Sequence, residues 1–169
     1  PESGNAASLA EVLNISALTA QVLINRDLQK ADKARSFLSP KLTDLIEPEQ
    51  MHGIGVAADH IKSAIEAGKK ISIYGDYDVD GTTGVSLLYE ALFALGGKVS
   101  FYIPNRITDG YGLSLEGIHL AESHSVDLIL TVDCGITAVD EVTFARSKGI
   151  DVIVCDHHEP AEKLPDAYA

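Results

Sequence analysis

Short apolar runs alternate with helical patterns over the last two thirds of the chain. Four runs rich in Ile, Val and Leu lie at residues 70–76, 98–104, 127–133 and 150–156. They are apolar at successive positions, as parallel strands covered on both faces are. Between them, apolar residues recur at helical spacing, at about 82–95, 114–124 and 138–148. This alternation predicts an α/β fold, a Rossmann-like parallel sheet flanked by helices.

The first part of the chain shows shorter helical patterns and no strand pattern. Residues 1–8 are small and polar, and we expect a loose tail there. Helices are predicted within residues 18–26 and 27–38, the second with Asp27 as its N-cap. A small helical segment therefore precedes the predicted sheet.

A proline separates this segment from the rest. After Pro48, apolar residues at helical spacing predict a longer helix near residues 50–68. With 169 residues and 46% apolar composition, the chain is long enough for one good core. We therefore expect a tail and small helical segment over residues 1–48 and one α/β domain, incomplete at its C-terminus, over residues 49–169.

Composition narrows the classes of function. The net charge of −12 argues against a broad basic surface that grips nucleic acid, so any such contact must come from a few residues. No apolar run approaches the length of a membrane span and no leader pattern is present, which favours a soluble cytoplasmic protein without a membrane partner. Cys134 and Cys155 lie in apolar runs without a CxxC spacing, and we expect buried, reduced thiols.

Polar residues follow the predicted strands at their carboxyl ends, where ligands bind in open parallel sheets. Asp76 ends the first strand, Asn105 and Arg106 follow the second, and Asp133 ends the third. Asp156, His157 and His158 follow the fourth. A single aspartate at a strand end is often only a turn or helix cap. Acidic residues at three of the four strand ends, with two histidines, favour a metal site.

The segment GDYDVDG supplies three carboxylates at alternate positions, Asp76, Asp78 and Asp80. Carboxylates alone suit Mg²⁺, Ca²⁺ or Mn²⁺, and an added imidazole shifts the preference toward Mn²⁺ or another transition ion. A calcium loop of the EF-hand type would need a Glu at its twelfth position, where Leu87 stands. The calcium loop is therefore excluded.

Further residues are candidates for contact with phosphate or a base. Thr82 and Thr83 open the predicted helix and either bind phosphate or act as ordinary N-caps. The segment lacks the lysine of a phosphate-binding loop and the GxGxxG of a dinucleotide site. Arg106 is suited to hold a phosphate with its guanidinium fork, or is a plain surface ion-pair partner. Tyr111, between two glycines, is suited to stack on a base.

One central carboxylate can bridge two cations, and a pair of cations is a common arrangement for hydrolysis of phosphate esters. Asp133 is the candidate for that position. The histidines then supply at least one imidazole ligand, and the neighbouring ring is available for substrate contact or proton transfer.

The chain resembles the DHH phosphoesterase family. The segments that carry the resemblance are GDYDVDGTTG (75–84), YIPNRITDGYGLS (102–114), TVDCGI (131–136) and CDHHEP (155–160). The N-terminal residues 22–42 also resemble the segment that precedes the catalytic core of the family's single-strand-specific DNA exonucleases, although Asp27 stands where a glycine is common.

The resemblance implies a site with two ions, Mn²⁺ or Mg²⁺. The metal ligands it implies are Asp78, Asp80, Asp133 and His157. Asp76 matches a further acidic position, and His158 matches a residue at the scissile phosphate, so both are predicted to be catalytic. Asn105, Arg106, Tyr111, Thr82 and Thr83 remain the predicted substrate contacts.

The implied function is a metal-dependent 5′→3′ exonuclease on single-stranded DNA, acting in DNA repair and recombination. Two alternatives stay open: a phosphodiesterase or phosphatase on short oligonucleotides, cyclic dinucleotides or nucleoside bisphosphates, and a non-catalytic replication scaffold. The family uses one more metal-binding aspartate and a second domain beyond the region present here. We therefore expect the isolated chain to be inactive or weakly active, and any single-strand-binding protein or helicase partner to bind the absent regions.

Overall fold

The structure, a computed structural model, describes residues 3–105, 107, 110 and 112–169, with side chains from residue 6 onward. Arg106 and Tyr111, two of the predicted substrate contacts, lie outside the described residues. The chain divides into two compact units, one ending at Gln50 and the other beginning at Met51. Each unit is described by itself.

The described residues of the first unit form three helices and two short turns. The helices are α1 (Ser3–Leu13), α2 (Ala17–Ile24) and α3 (Ala31–Leu38), and two 3₁₀ turns follow at Leu42–Asp44 and Pro48–Gln50. Its core is small and rich in alanine, and consists of Ala6, Leu9, Ala10, Ala20, Leu23 and Ala34.

Two predictions for this unit were wrong. The expected loose tail is helical from Ser3 onward, because Ala6 belongs to the same helix face as Leu9 and is buried with it. Asp27 is not an N-cap: α3 begins four residues later, after Lys30, and Asp27 has a left-handed backbone (φ 60°) in the turn that follows α2. An aspartate tolerates that conformation better than most residues.

The second unit has alternating helices and strands. In chain order these are α4 (Ile54–Glu66), β1 (Lys70–Gly75), α5 (Val79–Ala94), β2 (Lys98–Tyr102), α6 (Leu115–Ser123), β3 (Leu128–Val132), α7 (Val139–Ser147) and β4 (Asp151–Cys155). All four strands are parallel, in the order β2-β1-β3-β4. The predicted α/β fold with a parallel sheet flanked by helices is confirmed.

Helices cover both faces of this sheet. One face packs against α4 and α5, with Ile71, Ile73, Leu128 and Leu130 in the core. The other face packs against α6 and α7. All residues of β3 are buried, as are those of β1 after its first residue. Continuous apolar runs in the sequence correctly predicted strands buried on both faces at these two positions.

The second strand departs from that prediction. β2 pairs only with β1 and lies at the edge of the sheet, so its residues are exposed or half-buried, and Phe101 is 58% exposed. Leu95, which has the helical spacing of the buried face of α5, follows the last helical residue and is also exposed. Cys155, expected to be buried, is exposed at the end of β4, whereas Cys134 is fully buried.

No single helix in the described part of the chain is long and apolar enough to cross a membrane. Only Ala6–Leu13 and Ala17–Ile24 taken together reach that length and composition, across a bend of 113°.

Candidate metal centre

The predicted metal-binding and catalytic residues follow three adjacent strands, β1, β3 and β4. From β1 the chain passes to β2, which lies on one side of β1, and then to β3, which lies on the other side. The strand order therefore reverses direction between β1 and β3. In open α/β sheets, the crevice outside the carboxyl ends of the strands at such a reversal is where ligands bind. Asp76 follows β1 and Asp133 follows β3, one on each side of this crevice.

Five of the predicted residues come together there. Asp76, Asp78 and Asp133 offer ligand atoms that all lie within 4.8 Å of one another. The same separation holds for Asp133, His157 and His158. Asp133 belongs to both groups, so one carboxylate connects a set of three acidic residues with a pair of imidazoles. We call these five residues the strand-end cluster.

Two glycines permit the approach of α5 to β1 that forms this cluster. A Cβ on Gly81, in the first turn of α5, would lie 2.4 Å from the carbonyl oxygen of Asp76. A Cβ on Gly75 would lie 2.2 Å from Cγ2 of Val85. A side chain at Gly81 would require backbone to move, and one at Gly75 would displace the Val85 side chain, so glycine at both positions permits the approach that brings Asp76 and Asp78 together.

Asp76 is the cluster residue with an unsatisfied oxygen. It is 2% exposed, and among the described residues its buried Oδ1 has no hydrogen-bond partner. An isolated buried carboxylate oxygen is strongly unfavourable, and a bound ion or water is one explanation of such an atom in a native structure. A divalent cation fits this position, because the neighbouring donors are also carboxylate oxygens, the ligands that Mg²⁺ and Mn²⁺ accept.

Asp78 has a structural function as well. It is the N-cap of α5, and its Oδ1 accepts a hydrogen bond of 3.1 Å from the backbone amide of Gly81. This bond uses one oxygen and fixes the side chain at the positive end of the helix dipole. Asp78 is therefore both a helix cap and a member of the cluster.

Asp133 is buried in an unusual backbone conformation. Its φ is 61°, its N–H donates to the carbonyl oxygen of Cys155 at 3.0 Å, and it is 8% exposed. Its Oδ1 lies 2.9 Å from Nε2 of His157. Burial raises the pKa of Asp133, and the charge of Asp78 adds to the increase, whereas the hydrogen bond with His157 opposes it. A cation would relieve this repulsion.

Asp156 was not assigned a role from the sequence, and the structure gives it one. Its side chain is only 2% exposed and contacts His158: Oδ1 lies 2.7 Å from Nδ1 of that ring. Burial alone would raise the pKa of Asp156, but hydrogen bonds from the Ile136 amide and from His158 outweigh it and lower the pKa. The bond to Asp156 in turn raises the pKa of His158. Its place in the run CDHHE was visible in the sequence, but its burial depends on the turn after β4.

Three predicted residues are placed differently. Asp80 is exposed in the first turn of α5 and belongs to neither group of ligand atoms. The hydroxyls of Thr82 and Thr83 donate to carbonyl oxygens of the preceding turn, those of Asp78 at 2.7 Å and of Val79 at 2.6 Å. The alternative prediction, that these threonines are ordinary N-caps, was wrong, because the N-cap of α5 is Asp78.

Asn105 lies in the loop after β2. Its Oδ1 accepts a hydrogen bond of 2.9 Å from the amide of Ile107, which shapes the backbone of that loop. The roles predicted for Asn105, Asp80 and the two threonines in binding metal or substrate stay predictions.

Comparisons with known proteins show the family and the fold of this chain. The model of the DHH family, N-terminal domain, matches residues 70–169. The chain is 44% identical to the single-stranded-DNA-specific exonuclease RecJ of Bacillus subtilis (strain 168) over 169 residues, which is 100% of this chain and 22% of that protein.

Solved structures of RecJ have the same fold. Exonuclease RecJ bound to manganese matches with a TM-score of 0.68 and 39% identity, over 73% of this chain and 32% of that one. RecJ from Thermus thermophilus in complex with Mn²⁺ matches with a TM-score of 0.68 and 31% identity, over 99% of this chain and 23% of that one. Its complex with Mg²⁺ matches with a TM-score of 0.53 and 28% identity, over 94% and 19%.

The chain spans about a fifth of the length of the curated relatives it matches. The family match covers β1 to β4 and every residue of the strand-end cluster. The chain therefore belongs to the DHH family.

Proposed function

We propose that this chain is the metal-binding part of a 5′→3′ exonuclease that hydrolyses single-stranded DNA. The observation that carries the proposal is the buried, unpartnered Oδ1 of Asp76 beside two more carboxylates at the sheet edge. The relatives named as single-stranded-DNA-specific exonucleases, and the RecJ structures with Mn²⁺ and Mg²⁺, support it.

The proposed ligands divide between two ions. Asp78, Asp133 and His157 would hold Mn²⁺ or Mg²⁺, with Asp133 shared because it belongs to both groups of ligand atoms. Asp80 remains a proposed ligand, although it would have to approach the cluster from the first turn of α5. The ions would supply Lewis-acid stabilisation of the negative charge that develops on the phosphate and would make an attacking water more acidic.

The remaining residues would act on substrate and protons. Asp76, deep at the end of β1, would be a further acidic residue of the centre, and its unpartnered Oδ1 would face a bound ion. His158, 46% exposed in its side chain, would contact the scissile phosphate and hold or move a proton there. Asn105, Thr82 and Thr83 are proposed to contact phosphates of the strand, together with Arg106 and Tyr111.

The chain is expected to have little nuclease activity alone, because it corresponds to about a fifth of its relatives. Its role is best tested in a chimera in which it replaces the aligned part of Bacillus subtilis RecJ. We expect the chimera to degrade 5′-phosphorylated single strands in the presence of Mn²⁺, and to act much less on dinucleotides.

The control in the chimera is a pair of matched substitutions. Asp133→Asn removes a cluster carboxylate, whereas Asp59→Asn removes an exposed one on α4. The first should abolish turnover and the second should leave it unchanged. A chimera that folds, as judged by circular dichroism, but has no metal-dependent nuclease activity would overturn the proposal.

We further propose a role in DNA repair and recombination in the cytoplasm. Support comes from the relatives, which are named single-stranded-DNA-specific exonucleases. Partners such as single-strand-binding protein or a helicase would bind regions beyond this chain.

A further inference from the structure

The buried carboxylate of Asp156 takes no part in either group of potential metal-ligand atoms. It nevertheless lies directly before the two histidines of the cluster, with a side chain that is 2% exposed. A carboxylate removed from water is stable only when both oxygens accept hydrogen bonds. The contacts of Asp156 therefore indicate what it does.

Three donors surround this carboxylate. Oδ2 accepts from the amide of Ile136 at 2.9 Å, in the turn between β3 and α7. Oδ1 accepts from the amide of His158 at 3.1 Å and lies 2.7 Å from Nδ1 of the same ring. The bond to the amide two residues on is an ordinary turn bond of an aspartate. The other two are additional: the bond to the Ile136 amide connects two loops of the site, and the contact with Nδ1 restrains the His158 ring.

The contact with the ring fixes a tautomer. An ionised carboxylate only accepts hydrogen bonds, so Nδ1 of His158 must carry the proton. In a neutral ring, Nε2 is then the unprotonated nitrogen. The same arrangement, a buried carboxylate that orients a working histidine through Nδ1, recurs in hydrolytic active sites.

We propose that Asp156 is a positioning residue that acts through His158: it fixes the orientation and tautomer of the ring, so that Nε2 is the nitrogen that meets the substrate. Through Ile136, it also holds the turn that carries Asp133 against the loop that carries the histidines. The inference rests on the proposed function, since the contact of His158 with substrate is part of it.

The geometry of the backbone agrees with this role. The amide of Asp133 donates to the carbonyl oxygen of Cys155, so the ends of β3 and β4 are joined twice, once by main chain and once by the Asp156 carboxylate. An asparagine at position 156 could not make the same hydrogen bonds. It has one acceptor oxygen, so its NH₂ group would face a donor, either the Ile136 amide or Nδ1–H of His158.

The test is the ¹⁵N chemical shifts of the histidine rings in the metal-free 169-residue chain, in alkaline buffer where the rings are neutral. In the wild-type chain, Nδ1 of His158 should have the shift of a protonated nitrogen and Nε2 that of an unprotonated one. In Asp156→Asn, the Nδ1–H tautomer should no longer be the dominant one. A merely structural role would not change which nitrogen carries the proton.

Asp151→Asn is the matched control. Asp151 stands at the other end of the same strand and pairs with a different ring, with Oδ2 3.0 Å from Nε2 of His60. This substitution should change the signals of His60 and leave those of His158 as in the wild type.

Two results would overturn the inference: a wild-type His158 ring with its proton on Nε2, or an Asp156→Asn chain with an unchanged tautomer. The wild-type spectrum decides even if the variant does not fold. Failure of the proposed function would look different, since the chimera would then lack nuclease activity while the tautomer of His158 stayed as predicted.

Discussion

Asp133 combines burial, a left-handed backbone and a second carboxylate close by. A φ of 61° is unfavourable for a residue with a side chain, by about 1–2 kcal/mol, although an aspartate tolerates it better than most. Burial and the charge of Asp78 both raise the pKa of Asp133. Each feature lowers the stability of the metal-free chain, and such features persist where a site requires them.

Replacing this carboxylate should stabilise the metal-free chain. Between the ordinary pKa of 3.8 and its higher value in the folded chain, Asp133 holds more protons folded than unfolded, so its contribution to stability falls as the pH rises through that range. The asparagine of Asp133→Asn keeps an oxygen that can contact Nε2 of His157 but does not ionise. The loss of stability with rising pH should therefore disappear in this variant.

Urea unfolding with a chelator present checks this prediction. The free energy of unfolding of Asp133→Asn should exceed that of the wild type at neutral pH, and the difference should shrink in acid. A variant that is less stable than the wild type at neutral pH would show that the carboxylate stabilises the fold.

Sequence reasoning identified the acidic segment but not which carboxylates would meet. The helix after β1 was expected to begin near residue 82, yet α5 begins at Val79. This earlier start makes Asp78 the cap and turns Asp80 toward solvent in the first turn. The first residue of a helix depends on the packing of its glycines against the strand, which no local pattern reveals. The burial of Asp156 was hidden for another reason: it depends on the turn after β4 and on the contact with Ile136, which lies in a different loop.

At the level of elements, the site depends on the contact between α5 and the ends of β1 and β3. Gly81 meets the backbone of Asp76, and a Cβ on Gly84 would lie 2.5 Å from Cγ1 of Val132. Glycines therefore stand at these two close approaches of the helix to the strand ends. The N-terminus of α5 is held close enough to bring Asp78 to the cluster.

Gly81→Ala tests this packing. Since the new Cβ would meet backbone rather than a movable side chain, we expect a loss of about 1–3 kcal/mol in the free energy of unfolding. Gly55→Ala, in α4 with open space around the added Cβ, should instead gain about 0.5–1 kcal/mol. Urea denaturation measures both. Equal effects of the two substitutions would contradict the close approach of α5.

The alternation of patterns predicted which elements form, but not their place in the sheet. The runs at β1, β3 and β2 are similar in the sequence, yet β2 lies at the edge with Phe101 exposed. Strand order depends on how each crossover helix packs, and composition does not encode it. The helical start of the chain was missed because alanine and serine form both helices and loose tails.

At the scale of the whole molecule, the net negative charge of the chain is connected with the proposed metal site. The chain has a net charge of −12, and part of this charge is concentrated in the strand-end cluster. Divalent ions there would offset the repulsion and satisfy the buried oxygen of Asp76. Because the chain spans about a fifth of its relatives, we expect the site to bind metal weakly here.

Calorimetric titration of the chelator-treated chain with Mn²⁺ tests the central claim, that the strand-end cluster is a metal centre. We predict binding in the wild type and in Asp59→Asn, which loses an exposed carboxylate on α4, and at least about tenfold weaker binding in Asp133→Asn. Equal affinity of Asp133→Asn and the wild type, or no binding by the wild type up to about millimolar Mn²⁺, would contradict the claim.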